Sequence, residues 1–307
     1  MKPIIVFGSI NMDLVTKTPR LPVAGETLQG HEFFTAAGGK GANQAVAAAR
    51  LGVSTHIVGR LGDDDFGHQL LSSLQVAGVH TDGVLVDGAI GSGVAVIAVD
   101  DAGENNIITI AGANGRLGEA DVEHLKSLLP GAGALLMQLE IPMPVVLLAA
   151  QAANSFGIPV ILDPAPAQNI PIELYPLVDV ITPNRWEASQ LVGFPVDGQE
   201  KAAKAAKVLR ERGVSTAIIK LGAEGVLYAA ESETFFLPAF SVEAVDTVAA
   251  GDAFNGALAA ALVEGLTLPQ AVVWGAAAGA ISATKAGAEP SLPNRQTFDA
   301  FLKDRGI

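Results

Sequence analysis

Short apolar runs alternate with stretches of helical spacing along most of the chain. Ile4–Phe7, Ile57–Val58, Ala134–Leu139, Val160–Leu162, Val178–Ile181 and Ala217–Leu221 are short, apolar and bounded by turn residues, which predicts buried strands. Between or after them, Gly41–Leu51, Phe66–Ala77, Val122–Leu129, Val145–Phe156, Glu187–Leu191 and Lys201–Arg212 carry the helical period. Strands separated by helices need crossover connections, so the pattern predicts an α/β fold with a mostly parallel sheet covered on both faces. Gly225–Ala230 and Thr234–Leu237 follow one another with no helix between them and predict an antiparallel edge hairpin. The remainder is mostly helical, and the small residues of Ala271–Ala286 allow close packing.

Two regions break this rhythm. Glu26–Ala36, and Gly93–Val99 with Asn106–Ile110, have strand character but no partner helices, and Asp100–Glu104 is a turn sequence between the last two. A sheet without helices must cover its apolar face with the main body, a ligand or a second subunit. The expectation is a single domain over residues 1–307, with lid strands inserted at about 14–36 and 93–110. The lid would close over an active site and double as the contact of a homodimer.

Half of the residues are apolar and 17% are charged, so a large core is expected and disorder is not. Against 19 Lys and Arg stand 32 Asp and Glu, a net charge of −13 that disfavours a nucleic-acid partner. A small anion remains possible, because backbone dipoles act locally. With no cysteine, disulfides, thiolate zinc sites and thiol catalysis are excluded. The five scattered histidines form no His-x-x-x-His pair and speak against a zinc hydrolase. Met1 leads directly into Ile4–Phe7, too short for a signal peptide. Gln138, Glu140, Pro142 and Pro144 interrupt the one long apolar stretch, so no membrane span and no membrane partner is expected. A soluble, cytoplasmic protein follows.

The chemistry concentrates at a few turns. Ala249-Ala250-Gly251 stands before Asp252 at the start of a helical pattern. Small side chains there admit an anion to the unpaired N–H groups of a helix start. Asp252 is then placed to act on a hydroxyl that meets the anion, an arrangement suited to phosphoryl transfer to an alcohol. A plain helix cap is the alternative. Gly38-Gly39-Lys40-Gly41-Ala42-Asn43-Gln44 is a glycine turn entering a helix, open to close ligand approach, with Lys40 and Asn43 as polar contacts or else only a helix entry. It matches neither a P-loop nor a dinucleotide fingerprint. Asn11 and Asp13 follow the first strand, and Glu140 follows Ala134–Leu139. Carboxyl ends of parallel strands line ligand crevices, and groups of this kind suit a polyol or serve only their loops. Asn184-x-x-Glu187 fits Mg²⁺ held through waters and phosphates, or a helix cap.

These segments, with Leu136–Glu140 and Thr182-Pro183-Asn184, resemble the ribokinase family, the phosphofructokinase-B-like sugar kinases, in order and over essentially the whole chain. The resemblance implies a three-layer fold with a small β-sheet lid and transfer of the ATP γ-phosphoryl group to the 5-hydroxyl of D-ribose. By it, Asp252 matches the general base and the Ala249, Ala250 and Gly251 amides the anion hole. Asn11, Asp13, Gly39, Lys40, Asn43, Glu140 and Asp252 match sugar-binding positions. Asn184, Lys220, Leu221, Gly222, Ala223, Glu224, Gly225 and Gly251 match nucleotide-binding positions, and Glu187 a position that holds Mg²⁺ through water. Activation by K⁺ is also implied, with oxygen ligands from Asp246, Val248, Ser282, Lys285, Gly287 and Ser291. Arg185-Trp186 replaces the acid and small polar residue common after Asn184, and Met12 is bulkier than usual. Related alternatives are kinases of fructose, deoxyribose or adenosine; a non-catalytic sugar-binding regulator on the same fold is the alternative from another class.

Overall fold

In the computed structural model, which describes Met1–Ile307, the strand residues feed two cores in strict alternation. Along β1 (Ile4–Phe7), Ile4 and Val6 enter one core while Ile5 and Phe7 enter the other. The same period of two divides Leu136 from Leu135 and Met137 on β8 (Ala134–Met137), and Ile218 from Ala217 and Ile219 on β11 (Thr216–Lys220). A strand buried on both faces reads as a continuous apolar run, which is why these strands were legible.

The remaining strands of this sheet are β4 (Thr55–Gly62), β5 (His80–Asp87), β9 (Val160–Leu162), β10 (Val180–Ile181), β12 (Gly225–Ala229) and β13 (Thr234–Pro238). The nine run in the order β13-β12-β11-β10-β9-β8-β1-β4-β5. All neighbouring pairs from β11 to β5 are parallel, and β11-β12 and β12-β13 are antiparallel, forming the expected edge hairpin. One face is covered by α1 (Lys40–Arg50), α2 (Asp65–Val76), α7 (Ala250–Val263), α8 (Leu268–Ala283) and α9 (Arg295–Lys303). The other is covered by α3 (Glu119–Leu128), α4 (Met143–Ser155), α5 (Arg185–Val192) and α6 (Gln199–Glu211). No helix is long and apolar enough to cross a membrane.

A second sheet has the order β3-β2-β6-β7, from β2 (Asn11–Thr18), β3 (Glu32–Gly38), β6 (Gly93–Asp100) and β7 (Asn105–Ile110). Its outer strand β7 is exposed throughout. Several elements differ from expectation. Asn11 and Asp13 lie on β2 rather than in a loop, and the strand expected from Glu26 begins at Glu32. The strand expected over Ala134–Leu139 stops at Met137, freeing Gln138 and Glu140 for the loop that follows. The edge strand β5 was not anticipated.

Candidate active site

Residues 4–7 lead on one side to β4 and on the other, after the chain crosses back, to β8, so the order of connection reverses beside β1. Ligand crevices form at such a switch, outside the carboxyl ends of the strands. Ser9 and Asn11 follow β1, Glu140 follows β8, Asp163 follows β9, Asn184 follows β10, and Lys220 ends β11. Six strand-end side chains thus share one rim of the sheet.

The glycine turn seats α1 against this rim. Gly39 has φ +90°, and a Cβ on it would lie 2.7 Å from the Asn11 N, so both conformation and space demand glycine. The first N–H groups of α1 find partners across the turn: Lys40 N donates to Glu140 Oε2 at 3.1 Å, and Ala42 N to the Ser9 carbonyl at 2.9 Å. Glu140 Oε2 also accepts from Ser9 Oγ at 2.5 Å, leaving Oε1 without a partner. Asn11 Oδ1 accepts from Asn114 Nδ2 at 2.7 Å. Asp13 accepts no hydrogen bond from the protein, although its carboxylate lies so close to Gly38 that a Cβ there would collide with Oδ2. Burial first, then the charges of Glu140 and Asp252 against the opposing pull of Lys40, raise the Asp13 carboxyl to about 7.

Across the crevice, α7 begins with Ala249 at φ +59°, a left-handed conformation that costs an alanine about 1–2 kcal/mol. The turn leaves the N–H groups of Ala249, Gly251 and Asp252 without acceptors, while Ala250 N donates to the Thr247 carbonyl at 3.2 Å. Of the three amides singled out from the sequence, Ala249 and Gly251 are therefore free for an anion and Ala250 is engaged. Asp252 is buried at 5% exposure and is not a self-cap of α7. Its Oδ2 accepts from Asn43 Nδ2 at 3.0 Å and its Oδ1 from Gln44 Nε2 at 2.9 Å. Burial raises its pKa; Asp163 adds to the rise, while Lys40 and the two amide hydrogen bonds oppose it. Asn43, expected at the sugar, thus also holds the catalytic-site carboxylate through its Nδ2.

Sequence reasoning missed Gln44 and Asp163. Gln44 Nε2 also donates to Asp163 Oδ2 at 2.9 Å, and its Oε1 accepts from Gln138 Nε2 at 2.6 Å. Asp163 Oδ1 pairs with Lys220 Nζ at 3.1 Å. Lys40 lies among Asp252, Asp163, Glu140 and Glu187; burial disfavours its charge, but these four carboxylates outweigh burial and raise its pKa.

Asn184 and Glu187 form a capping box: Asn184 Oδ1 accepts from Glu187 N at 2.8 Å, and Glu187 Oε2 accepts from Asn184 N at 2.7 Å. The capping alternative is therefore realised, and the same pair still faces the rim. Burial is the main cause that raises the Glu187 pKa, with Lys220 opposing it. Arg185 donates to the Leu221 carbonyl at 3.2 Å and pairs with Glu224, so it braces the Lys220–Gly225 turn. Beside α7, Asp246 Oδ1 accepts from Val248 N and Oδ2 from Gly287 N, both at 2.9 Å, which ties the loop before α7 to the loop after α8. Ser282 and Ser291 bond to each other through their hydroxyls at 2.7 Å. The carbonyls of Asp246, Val248, Lys285 and Gly287 accept no hydrogen bond.

A carboxylate buried beside free amide donors, at the switch point of a parallel sheet with a small second sheet alongside, has the makeup of a phosphotransferase acting on an alcohol. The chain belongs to the pfkB family of carbohydrate kinases, whose model matches residues 1–295. It is 42% identical over 302 residues to a ribokinase of Haemophilus influenzae, covering 98% of this chain and 99% of that protein. The structure of a ribokinase from Thermotoga maritima superposes with a TM-score of 0.91 at 39% identity, covering 99% of this chain and 100% of that one. An Arabidopsis thaliana ribokinase complexed with ribose and ATP also gives 0.91, at 35% identity and 98% and 99% coverage. The fold is thus the ribokinase-like α/β fold.

Proposed function

We propose that this chain transfers the γ-phosphoryl group of ATP to the 5-hydroxyl of D-ribose, with Asp252 as the general base. The observation that carries the reading is the buried Asp252 carboxylate beside the free N–H groups of Ala249, Gly251 and Asp252. The relatives named above, one of them solved with ribose and ATP, support the choice of substrates. Asp13, without a protein partner, and Glu140 Oε1 accept ribose hydroxyls, and Asn11 lies beside them. Asn43 and Gln44 hold both oxygens of Asp252, so its orientation is set before the sugar arrives. As the 5-oxygen attacks phosphorus, its proton passes to Asp252, and the bond to the ADP oxygen breaks. The free amides of α7 receive the phosphoryl oxygens, and their fixed dipoles need no reorganisation at that moment. The braced turn Lys220, Leu221, Gly222, Ala223, Glu224 and Gly225 receives the nucleotide.

Five carboxylates (Asp13, Glu140, Asp163, Glu187, Asp252) face two ammonium groups at this rim, so a polyphosphate needs added positive charge. No three acidic or histidine side chains are grouped to hold an ion alone. Asn184 and Glu187 therefore fit Mg²⁺ held mainly by waters and phosphate oxygens. When bound, Mg²⁺ neutralises phosphate charge. The four unpartnered carbonyls of Asp246, Val248, Lys285 and Gly287, tied together by Asp246 and flanked by Ser282 and Ser291, fit a K⁺ ion that would fix the loop feeding α7.

The small sheet acts as a lid over the sugar, and closure excludes water from the phosphoryl group. Phe33, Val96, Ile108 and Ile110 are exposed on one face of it and Phe34 and Ile107 on the other, and we assign this exposed apolar sheet to the contact of a homodimer. Dependence on ATP accords with a cytoplasmic setting. The test is ADP release with Mg-ATP and D-ribose, 2-deoxyribose, fructose or adenosine, each in K⁺ and in Na⁺. Selective turnover of ribose, raised by K⁺, is expected; preference for another acceptor overturns the assignment of substrate.

A further inference from the structure

The pair Lys220–Asp163 is buried beside the start of α7, with Lys220 Nζ also 5.9 Å from the centre of the Phe254 ring. Both side chains are largely buried, at 13% and 3% exposure, and a buried ion pair is by itself a poor source of stability. The ammonium also lies at the wrong end of a helix. A Cβ placed on Gly251 would stand 3.4 Å from Lys220 Nζ, so the charge sits over the first turn of α7. The N-terminus of a helix is its positive end and disfavours a cation. The free amides of Ala249, Gly251 and Asp252 and the Lys220 ammonium are all donors. Among them only the ammonium has a hydrogen-bonded acceptor, Asp163, with the Glu187 charge acting on it from farther off. These unfilled donors present a concave set suited to the oxygens of a single phosphoryl group.

We propose that Lys220 is a catalytic residue that donates to the phosphoryl group being transferred, with Asp163 as its resting counter-ion. The proposal rests on the assignment of the α7 amides as the phosphoryl-receiving site. An ammonium has three protons to donate; Asp163 takes one, and the others remain for phosphoryl oxygens. No proton is transferred by Lys220 in the step. Asp163 keeps its position meanwhile, because its second oxygen is held by Gln44, the same amide that holds Asp252. The charge that meets the phosphoryl group and the base that meets the sugar are thus coupled through one side chain. Loss of Lys220 should lower kcat, with little effect on ribose binding.

The test compares Lys220→Met, Lys220→Arg, and the double variant Lys220→Met with Asp163→Asn, measured for kcat, ribose KM and thermal unfolding. The double variant leaves no unpaired charge, and its substituted amide still offers a carbonyl to Gln44. Removal of one such donor commonly costs about 10²–10³-fold in kcat. We expect that loss in Lys220→Met and in the double variant alike, with ribose KM within about threefold of wild type, and at least about tenfold recovery in Lys220→Arg. If the double variant regains wild-type kcat, Lys220 serves only to neutralise Asp163 and the proposal is overturned. A rise in KM with kcat unchanged overturns it equally. Wild-type ribose turnover and its loss in Asp252→Asn, assayed in the same series, report separately on the underlying kinase reading.

Discussion

Replacing Asp13 by asparagine should strengthen the unliganded protein while weakening its hold on ribose. The carboxylate is mostly buried, has no hydrogen-bond donor from the protein, and faces the charges of Glu140 and Asp252. Its pKa rises from the ordinary 3.8 to about 7, so the folded state binds the proton more tightly than the unfolded chain. Stability from this group is therefore complete below pH 3.8 and is lost progressively as pH climbs through about 7. At about 1.36 kcal/mol per decade, the cost of the ionised form reaches about 4 kcal/mol above pH 7. Asparagine keeps the shape and cannot ionise. At pH 8 the unliganded variant should melt several degrees above wild type, and the gap should close toward pH 5. Ribose should bind the variant about 10–150-fold more weakly at pH 8, the loss expected for a hydrogen bond to a charged acceptor of about 1.5–3 kcal/mol. Wild-type affinity should also rise between pH 6 and 8 as Asp13 ionises, while the variant stays flat. Calorimetric titration with ribose and thermal unfolding across this range read both effects. Equal ribose affinity at pH 8, or a variant less stable than wild type there, refutes the reasoning.

Three further outcomes follow from the α7 start and its neighbours. Gly251→Val places branched carbon against Lys220 Nζ and over the free amides, so kcat should fall by at least about 10²-fold with ribose affinity retained, as read by turnover and titration. Ala249→Gly relieves the left-handed strain, worth about 1–2 kcal/mol before the added entropy of the unfolded glycine, so thermal unfolding should show equal or greater stability with activity kept. Asp246→Ala releases the Gly287 and Val248 amides, and turnover should become equal in K⁺ and Na⁺.

The sequence made the sheet core readable because burial on both faces leaves a plain apolar run, as in β1, β8, β9 and β11. The edge strand β5 is weaker in this respect. In β5, four residues, His80, Thr81, Asp82 and Gly83, precede an apolar run of only three, Val84–Val86, and pairing with β4 defines the strand. In β2 the two residues singled out for chemistry, Asn11 and Asp13, disguised the strand that carries them. The motifs located the rim, but not who bonds to whom. Asp163, before a proline, reads as a turn residue, and its partners come from α1 and β11, far apart in sequence. The strand-end argument that selected Glu140 applies equally to Asp163 after Val160–Leu162, so that signal was present and unused. Gln44 is in the glycine motif, yet its role appears only when α1 and α7 pack together.

The central claim is that Asp252 takes the proton from the ribose hydroxyl. Asp252→Asn removes that capacity while one side-chain oxygen remains to accept from Asn43 or Gln44. The most direct measurement is kcat with Mg-ATP and ribose in K⁺ for this variant, beside its dissociation constant for ribose. The account predicts a fall in kcat of about 10²–10⁴-fold, with affinity within a few-fold of wild type. Turnover near the wild-type rate would contradict it.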